Sequence, residues 1–342
     1  MKSQSRKGDR AARFAACRGF QGTAAYRAFP TVSRLMRGTT FFLEPLAPFR
    51  LDLTAWTLRR RADNRIDRWD GATYRRVLVI EDQLVEVAVT QVEPPDSPRL
   101  RVTVTGADVD SKIKRRVVPL LNRMLGLQVD LSQFYRFAFH QGKLGPLARR
   151  FRGMRPPRFP SVFEAVINAT ACQQMSLTVG ILLLNRLAEA RGLAWEGNGA
   201  VSHAFPRPQD LVHREPRAIA RLGFSRQKVR AMTEAAKAID AGQRNLESLN
   251  EVPDDVALAN LLELRGVGRW TAEYVLLRGL GRWHIFPGDD VGARNNLTRW
   301  LGLSEDLDYE SVRRVLHRWR RFGGLIYFHL LLDSLAEKGD VK

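Results

Sequence analysis

The sequence predicts an α+β domain, an antiparallel sheet with a covering helix, followed by a mostly α-helical domain. Three observations carry that reading. Residues 40 to about 126 contain short runs in which apolar and polar residues alternate, the period of a half-buried strand. The segment KIKRRVVPLLNRM, at about 112–124, is amphipathic with helical spacing. From Leu131 onward the pattern is helical, with short linkers. The expected division is a disordered basic arm over residues 1–38, an α+β domain over 39–126 and a helical domain over 127–342.

In chain order, residues 1–38 carry nine Lys/Arg against one Asp and show little apolar periodicity. Three readings stay open for them: a basic arm on a polyanionic backbone, an Arg-rich organellar targeting segment, or a stretch absent from the protein, with Met36 as the start. Alternation marks FRLDLTAWTLRR, YRRVLVI, QLVEVAVTQV and RLRVTVTG, with turn signals at Asp70-Gly71 and Pro94-Pro95 between some of them. The helical domain holds SVFEAVINATACQQMSLTVGILLLNRLAEA, two helices or one broken one. PQDLVHREPRAIARLG and SRQKVRAMTEAAKAIDAG follow, the second with Gly242 as its C-cap. YESVRRVLHRWRRFG and GLIYFHLLLDSLAEKG close the chain.

The totals bound the function. The 342 residues suffice for two or three domains with a proper core. With 55 basic and 36 acidic residues the net charge is +19, which points to a polyanionic partner, nucleic acid above all; a generally basic surface is the bland alternative. No apolar run approaches the roughly 20 residues of a membrane helix, so no membrane partner is expected. Cys17 and Cys172 are the two cysteines, which excludes a disulfide framework and four-cysteine zinc or iron–sulfur sites. They fit a reducing cytoplasm, with a nucleoid association in a prokaryote; organellar targeting by residues 1–38 stays open. The histidines at 140, 203, 213, 284, 317 and 329 lack ligand spacing, so no catalytic metal is expected. No heptad run is present, and a monomer is expected.

Residues 261–294, LLELRGVGRWTAEYVLLRGLGRWHIFPGDDVGAR, carry two devices. Gly266-Val267-Gly268 reads as a tight turn between two helices, one that lets another backbone approach closely. A helix starting at about Arg269 leaves its first amides unpartnered, and with the helix dipole they suit a phosphate. Arg265 and Arg269 add charge there. Such a grip positions a strand without reading its sequence; an ordinary inter-helix turn is the alternative. Trp270 and Tyr274 share a helix face and suit stacking on a flat base, or plain core packing. No lysine stands at position 270, so no amine is there to form a Schiff base. Asp289 and Asp290 follow a Phe-Pro-Gly turn and precede a helix. One of the pair suffices as a helix cap, the role expected of Asp289. That leaves Asp290 to stabilise a developing positive charge on a sugar or to deprotonate a water.

These residues carry a resemblance. Leu264-x-Gly266-Val267-Gly268-x-Trp270-Thr271-Ala272, then Phe286-Pro287-x-x-Asp290 and Arg294, resembles the helix-hairpin-helix (HhH-GPD) DNA glycosylase superfamily. GRWTAEYVLLRG, and CQQMS from Cys172 to Ser176, are similar to motifs of its DNA-3-methyladenine glycosylase II branch. The resemblance covers about residues 160–338, with the sheet domain where that branch has one. It implies that Asp290 is catalytic and Asp289 its non-catalytic neighbour, that Trp270 and Tyr274 line a base pocket, and that Arg265, Gly266, Val267, Gly268 and Arg269 bind DNA phosphate. It further implies Gln174 and Met175 as the wedge that enters the duplex. No cofactor is implied, beyond a structural alkali metal ion at the hairpin carbonyls. Two departures stand out: Arg265 replaces the usual proline, and Leu331 stands about where the branch has a pocket tryptophan.

The implied function is monofunctional: hydrolysis of the N-glycosidic bond of alkylated purines, of the 3-methyladenine and 7-methylguanine type, in double-stranded DNA as part of base excision repair. Alkylation at N3 or N7 makes the base a cationic leaving group. The nucleotide is flipped out of the stack, and Asp290 stabilises an oxocarbenium-like transition state. The rivals are the same machinery acting on deaminated or oxidised bases, and a non-catalytic DNA binder. A binder that grips only the backbone needs neither the aromatic pair nor Asp290.

Overall fold

Five antiparallel strands open the fold: β1 (Arg37–Leu43), β2 (Arg68–Trp69), β3 (Thr73–Ile80), β4 (Gln83–Gln91) and β5 (Leu100–Gly106), in the order β1-β5-β4-β3-β2. The computed structural model describes residues 37–107, 109–197, 200–212 and 215–341. The expected basic arm lies outside them up to residue 36, and Arg37 and Gly38 already belong to β1. Strand alternation puts Phe41, Val102, Val89 and Tyr74 side by side on one face, with Val104 and Val87 in the next row. That face is buried under α1 (Leu51–Arg59) and α2 (Ser111–Leu125). Asp110 caps α2 by accepting from the amides of Lys112 and Ile113, and Gly126 ends it in the left-handed conformation.

One expected strand is a helix. FRLDLTAWTLRR alternates because α1 lies between two cores. Leu51, Ala55 and Leu58 recur at helical spacing and pack on the sheet, while Leu53 packs into the cluster on the other side. The apolar residues of two helix faces, read in one line, mimic a strand.

The rest is helical: α3 (Ser132–Ala138), α4 (Leu144–Arg150), α5 (Val162–Cys172), α6 (Leu177–Arg191), α7 (Pro208–Val212), α8 (Pro216–Ala220), α9 (Arg226–Asp240), α10 (Asp254–Leu262), α11 (Arg269–Arg278), α12 (Val291–Leu301), α13 (Tyr309–Leu316) and α14 (Gly323–Glu337). The stretch of uncertain continuity is two helices, α5 and α6, each begun by a serine cap, Ser161 and Ser176. PQDLVHREPRAIARLG also divides, because Pro216 takes the first turn of α8. Gly242 stands one residue past the cap of α9, at φ +70°. A two-stranded hairpin, β6 (Ala194–Gly197) with β7 (Ala200–His203), interrupts the helical region. Its Trp195, with Ala204 beyond it, packs on Val77 behind the sheet. No described helix is long and apolar enough to cross a membrane.

α11 positions the site. Residues 271–278 are buried on every side, with Val275 in the sheet-side core and Leu277 in the cluster built around α14. Only the N-terminal end of α11 reaches the surface, carrying the hairpin and Trp270.

Candidate active site

The hairpin between α10 and α11 uses its two glycines differently. Gly266 sits at φ +76°, and a methyl group on it would meet the Ala231 methyl at 3.1 Å. Gly268 is at φ −101°, and nothing lies within 4 Å of the place its Cβ would take. Gly268 is also the cap of α11 and provides no side chain for it. The caps Ser161, Ser176, Ser225, Asp290 and Asp308 each accept from a first-turn amide of their helices. The start of α11 therefore presents bare amides at the positive end of a helix. Both flanking arginines already have partners: Arg265 Nε donates to Glu234 at 2.6 Å, and Arg269 Nε to Asp289 at 2.7 Å. Both arginines are half-exposed, and surface pairs of this kind cost little to exchange for another anion. Val267 is buried and anchors the turn to the core.

The carboxylate pair divides its work differently from expectation. Asp290, not Asp289, caps α12: its Oδ1 accepts from the Ala293 amide at 2.9 Å. Its other oxygen, Oδ2, accepts from Trp270 Nε1 and from the Tyr327 hydroxyl, each at 3.3 Å. Asp289 is instead the partner of Arg269. A carboxylate has two oxygens, so capping and chemistry need not fall to different residues. The loop carrying both acids is pinned from below by Glu273, which accepts from the Gly288 amide at 3.2 Å and the Tyr309 hydroxyl at 2.6 Å. Burial raises the Glu273 pKa, against those two hydrogen bonds.

Gln174 and Met175 lie in the α5–α6 turn and are exposed; Gln174 adopts φ +52°, uncommon for a residue with a side chain. Gln173 beside them ties this turn to the hairpin, donating to the Gly266 carbonyl at 2.8 Å and to Thr271 Oγ1 at 2.7 Å. Lys228 holds the same turn from α9, donating to the carbonyls of Ala171 at 3.0 Å and Gln173 at 2.7 Å.

Residues 167–321 match the family described as HhH-GPD superfamily base excision DNA repair protein. These residues, somewhat under half of the chain, form an HhH-GPD domain. By sequence it is similar to a DNA-3-methyladenine glycosylase of Bacillus subtilis, 27% identical over 64% of this chain and 72% of that one. It is also similar to DNA-3-methyladenine glycosylase 2 of Escherichia coli, 28% identical over 55% of this chain and 64% of that one. Among solved structures it resembles a 3-methyladenine DNA glycosylase from Archaeoglobus fulgidus, with TM-score 0.74 and 28% identity over 85% of this chain and 97% of that one. The branch expected from the motifs agrees with these names.

Within that domain, Trp270 is half-buried, and its ring centroid is 5.6 Å from that of Tyr274. Tyr274 lies behind it at 2% exposure. Its hydroxyl accepts from Arg60 at 2.7 Å, so Trp270 is the more accessible of the pair. From α14 it is Tyr327, one turn before Leu331, that reaches Asp290; Leu331 packs against the helical core. Burial, with Asp290 adding to it, lifts the Tyr327 pKa well above the ordinary value and keeps it a neutral donor. Tyr327 had a weak signal, the one phenol in a mostly apolar helix. Arg60 had none: the middle member of Arg59-Arg60-Arg61 reads as surface charge. A separate cavity of about 990 Å³, lined by Glu273, Phe286, Tyr309, Arg313, His317 and Arg320 among others, does not include Asp290 or Trp270.

Proposed function

We propose that this chain is a monofunctional DNA glycosylase that acts as a monomer on double-stranded DNA and hydrolyses the N-glycosidic bond of alkylated purines, 3-methyladenine and 7-methylguanine among them. The observation that carries the reading is the Asp290 carboxylate, oriented through one oxygen by α12 and facing an indole through the other, beside the bare amide end of α11. The names of the relatives support the substrate class.

In this reading the amides at the head of α11, with Arg265 and Arg269, take a phosphate of the strand. Of the hairpin carbonyls, those of Leu264, Gly266 and Gly268 already accept hydrogen bonds. Those of Arg265 and Val267 accept none among the described residues and have the neutral-oxygen chemistry that suits an alkali ion. Such an ion would add positive charge under the phosphate. Gln174 and Met175 fill the gap left by the flipped nucleotide. The base stacks on Trp270, with Tyr274 behind it. As the bond to the cationic base lengthens, positive charge grows on the sugar, and Asp290 opposes it with a negative charge already in place. A water then completes the hydrolysis. No Schiff base forms, because the head of α11 offers tryptophan where an amine is needed and the Lys228 ammonium is taken by two carbonyls.

The test uses methylated duplex DNA, with released bases separated by chromatography and strand breaks scored before and after alkali. Release of methylpurines, with breaks only after alkali, is expected. Breaks without alkali overturn the monofunctional assignment, and no release from a wide lesion panel overturns the glycosylase reading.

A further inference from the structure

The cavity of about 990 Å³ that excludes Asp290 and Trp270 is a cleft with two walls. One wall is α13 with the short 3-10 helix that follows it, His317–Phe322; the other is the segment 284–286 with Glu273 of α11. Residues 309–322 carry five arginines and a single acid, Glu310. Val312, Leu316 and Trp319, spaced at i, i+4 and i+7, are buried and anchor this ribbon. The arginines between them are exposed, and Arg313, Arg314, Arg320 and Arg321 form a rim with His317. Ile285, Phe286, Val312 and Leu316 give the cleft an apolar floor. Its far end is closed by backbone: a methyl group on Gly323 would meet the His284 carbonyl at 2.7 Å, and Gly324 donates its amide to the Trp283 carbonyl at 2.9 Å. The two walls are joined there, so the cleft is preformed.

The rim charge is poorly neutralised. Arg313 meets Glu310 only at 3.6 Å, with both side chains more than half exposed. Arg314 donates to the Ser311 hydroxyl at 2.6 Å, and Arg320 lies 3.3 Å from a ring nitrogen of His317. Arg314, Arg320 and Arg321 form no ion pair among the described residues. Glu273, the other acid of the lining, already accepts from the Gly288 amide and the Tyr309 hydroxyl. Crowded cations around an apolar floor call for an anionic partner that also brings an apolar group.

Two features favour a peptide over the DNA strand. The cleft descends along the flank of α11: Gly324, at its closed end, packs on Leu277, eight residues and about 12 Å along that helix from Arg269. On the proposed reading the strand crosses the head of α11, so the cleft leads away from it. A phosphate backbone also has nothing to cover Phe286, Val312 and Leu316, whereas a peptide presents carboxylates and an apolar side chain together.

We propose that this cleft is a docking site for an acidic segment of a partner protein. Its carboxylates pair with Arg313, Arg314, Arg320 and Arg321, and one apolar side chain enters between Phe286, Val312 and Leu316. The proposal goes beyond the glycosylase reading and does not depend on it.

The test uses the full chain and a set of short fluorescein-labelled peptides rich in Asp and Glu, each with one central Phe, Leu or Trp, followed by anisotropy at physiological salt. At least one peptide should bind, more weakly as salt rises. Replacing its central residue by Ala should cost about tenfold in affinity. Arg320→Gln/Arg321→Gln should weaken the peptide by about tenfold and leave affinity for undamaged duplex within about twofold. These two arginines are exposed and lack ion pairs, so the variant should melt as the wild type does. If it does not fold, Arg314→Gln decides, with a loss of about threefold expected for the peptide alone. Failure of the whole peptide set to bind, or equal binding by the variants, overturns the proposal. So does displacement of the peptide by duplex with a matching loss of duplex affinity in the variants, which would make the cleft part of the DNA track. Base release is measured separately, and none of these outcomes bears on it.

Discussion

Trp270 donates its indole N–H to the Asp290 oxygen that the helix cap leaves over, at 3.3 Å. One carboxylate thus begins α12 through Oδ1 and meets the N-terminal end of α11 through Oδ2. Its orientation is set by two helices at once, which is how a group is held in place before a reaction develops charge.

Asp290→Asn separates these two roles. Asparagine caps a helix as well as aspartate, so thermal stability should stay within about 1 kcal/mol of the wild type. The negative charge is lost, and single-turnover release of methylpurines should fall by about 100-fold or more, with duplex affinity within about twofold. Comparable release by the variant would remove Asp290 from the chemistry.

Alanine at the two hairpin glycines should give opposite patterns. Gly266→Ala places a side chain at φ +76° and presses on Ala231, so about 1–2 kcal/mol of stability should be lost along with affinity. Gly268→Ala has free space and should leave the melting temperature unchanged. It should still weaken binding to undamaged duplex, since the methyl occupies the approach of the strand. Calorimetry and fluorescence anisotropy at one fixed salt concentration distinguish the two, and unaltered affinity in Gly268→Ala rejects the hairpin as a phosphate grip.

Arg76→Met should destabilise the chain by about 3–5 kcal/mol in denaturant unfolding, because it strands Asp67 and Glu164 in the core. Burial already pushes the Glu164 pKa up against the pull of Arg76. Replacing all three residues with apolar ones of similar volume should recover most of the loss. If the triple variant is no better than the single one, the penalty comes from packing rather than charge.

His329 predicts an acid-dependent stability. It is fully buried, its Nδ1 is 2.7 Å from the Leu325 carbonyl, and burial pushes its pKa down to about 4. The folded value lies below the unfolded one, so the neutral ring's contribution is complete above about pH 6.5 and lost as pH falls towards about 4. Melting temperatures followed over that window should fall less steeply in His329→Phe than in the wild type. Parallel curves would assign the acid sensitivity to the carboxylates instead.

Much of this arrangement was readable from residue order. β3, β4 and β5 declare themselves because one face is buried throughout and the other only in part, and alternation records that asymmetry. α1 misleads because two cores claim two of its faces. The hairpin and Asp290 were legible because a tight turn and a helix start restrict residue types locally. The division of labour between Asp289 and Asp290 was not, since only the positions of Arg269 and Trp270 in space decide it. The burial of Arg60 was invisible for a related reason: its partners, Tyr274 and Asn168, are more than a hundred residues away in sequence.

The amide of Gln173 joins the α5–α6 turn to the Gly266 carbonyl and to Thr271. On the proposed reading, a part that probes between base pairs and a part that holds the sugar–phosphate chain are thereby locked at a fixed stride. An insertion or deletion between Cys172 and Ser176 should therefore disturb where along the strand inspection occurs, not how firmly the strand is held. Redesign of the damage spectrum is better directed at the walls around Trp270 and Tyr327, which leave the stride alone.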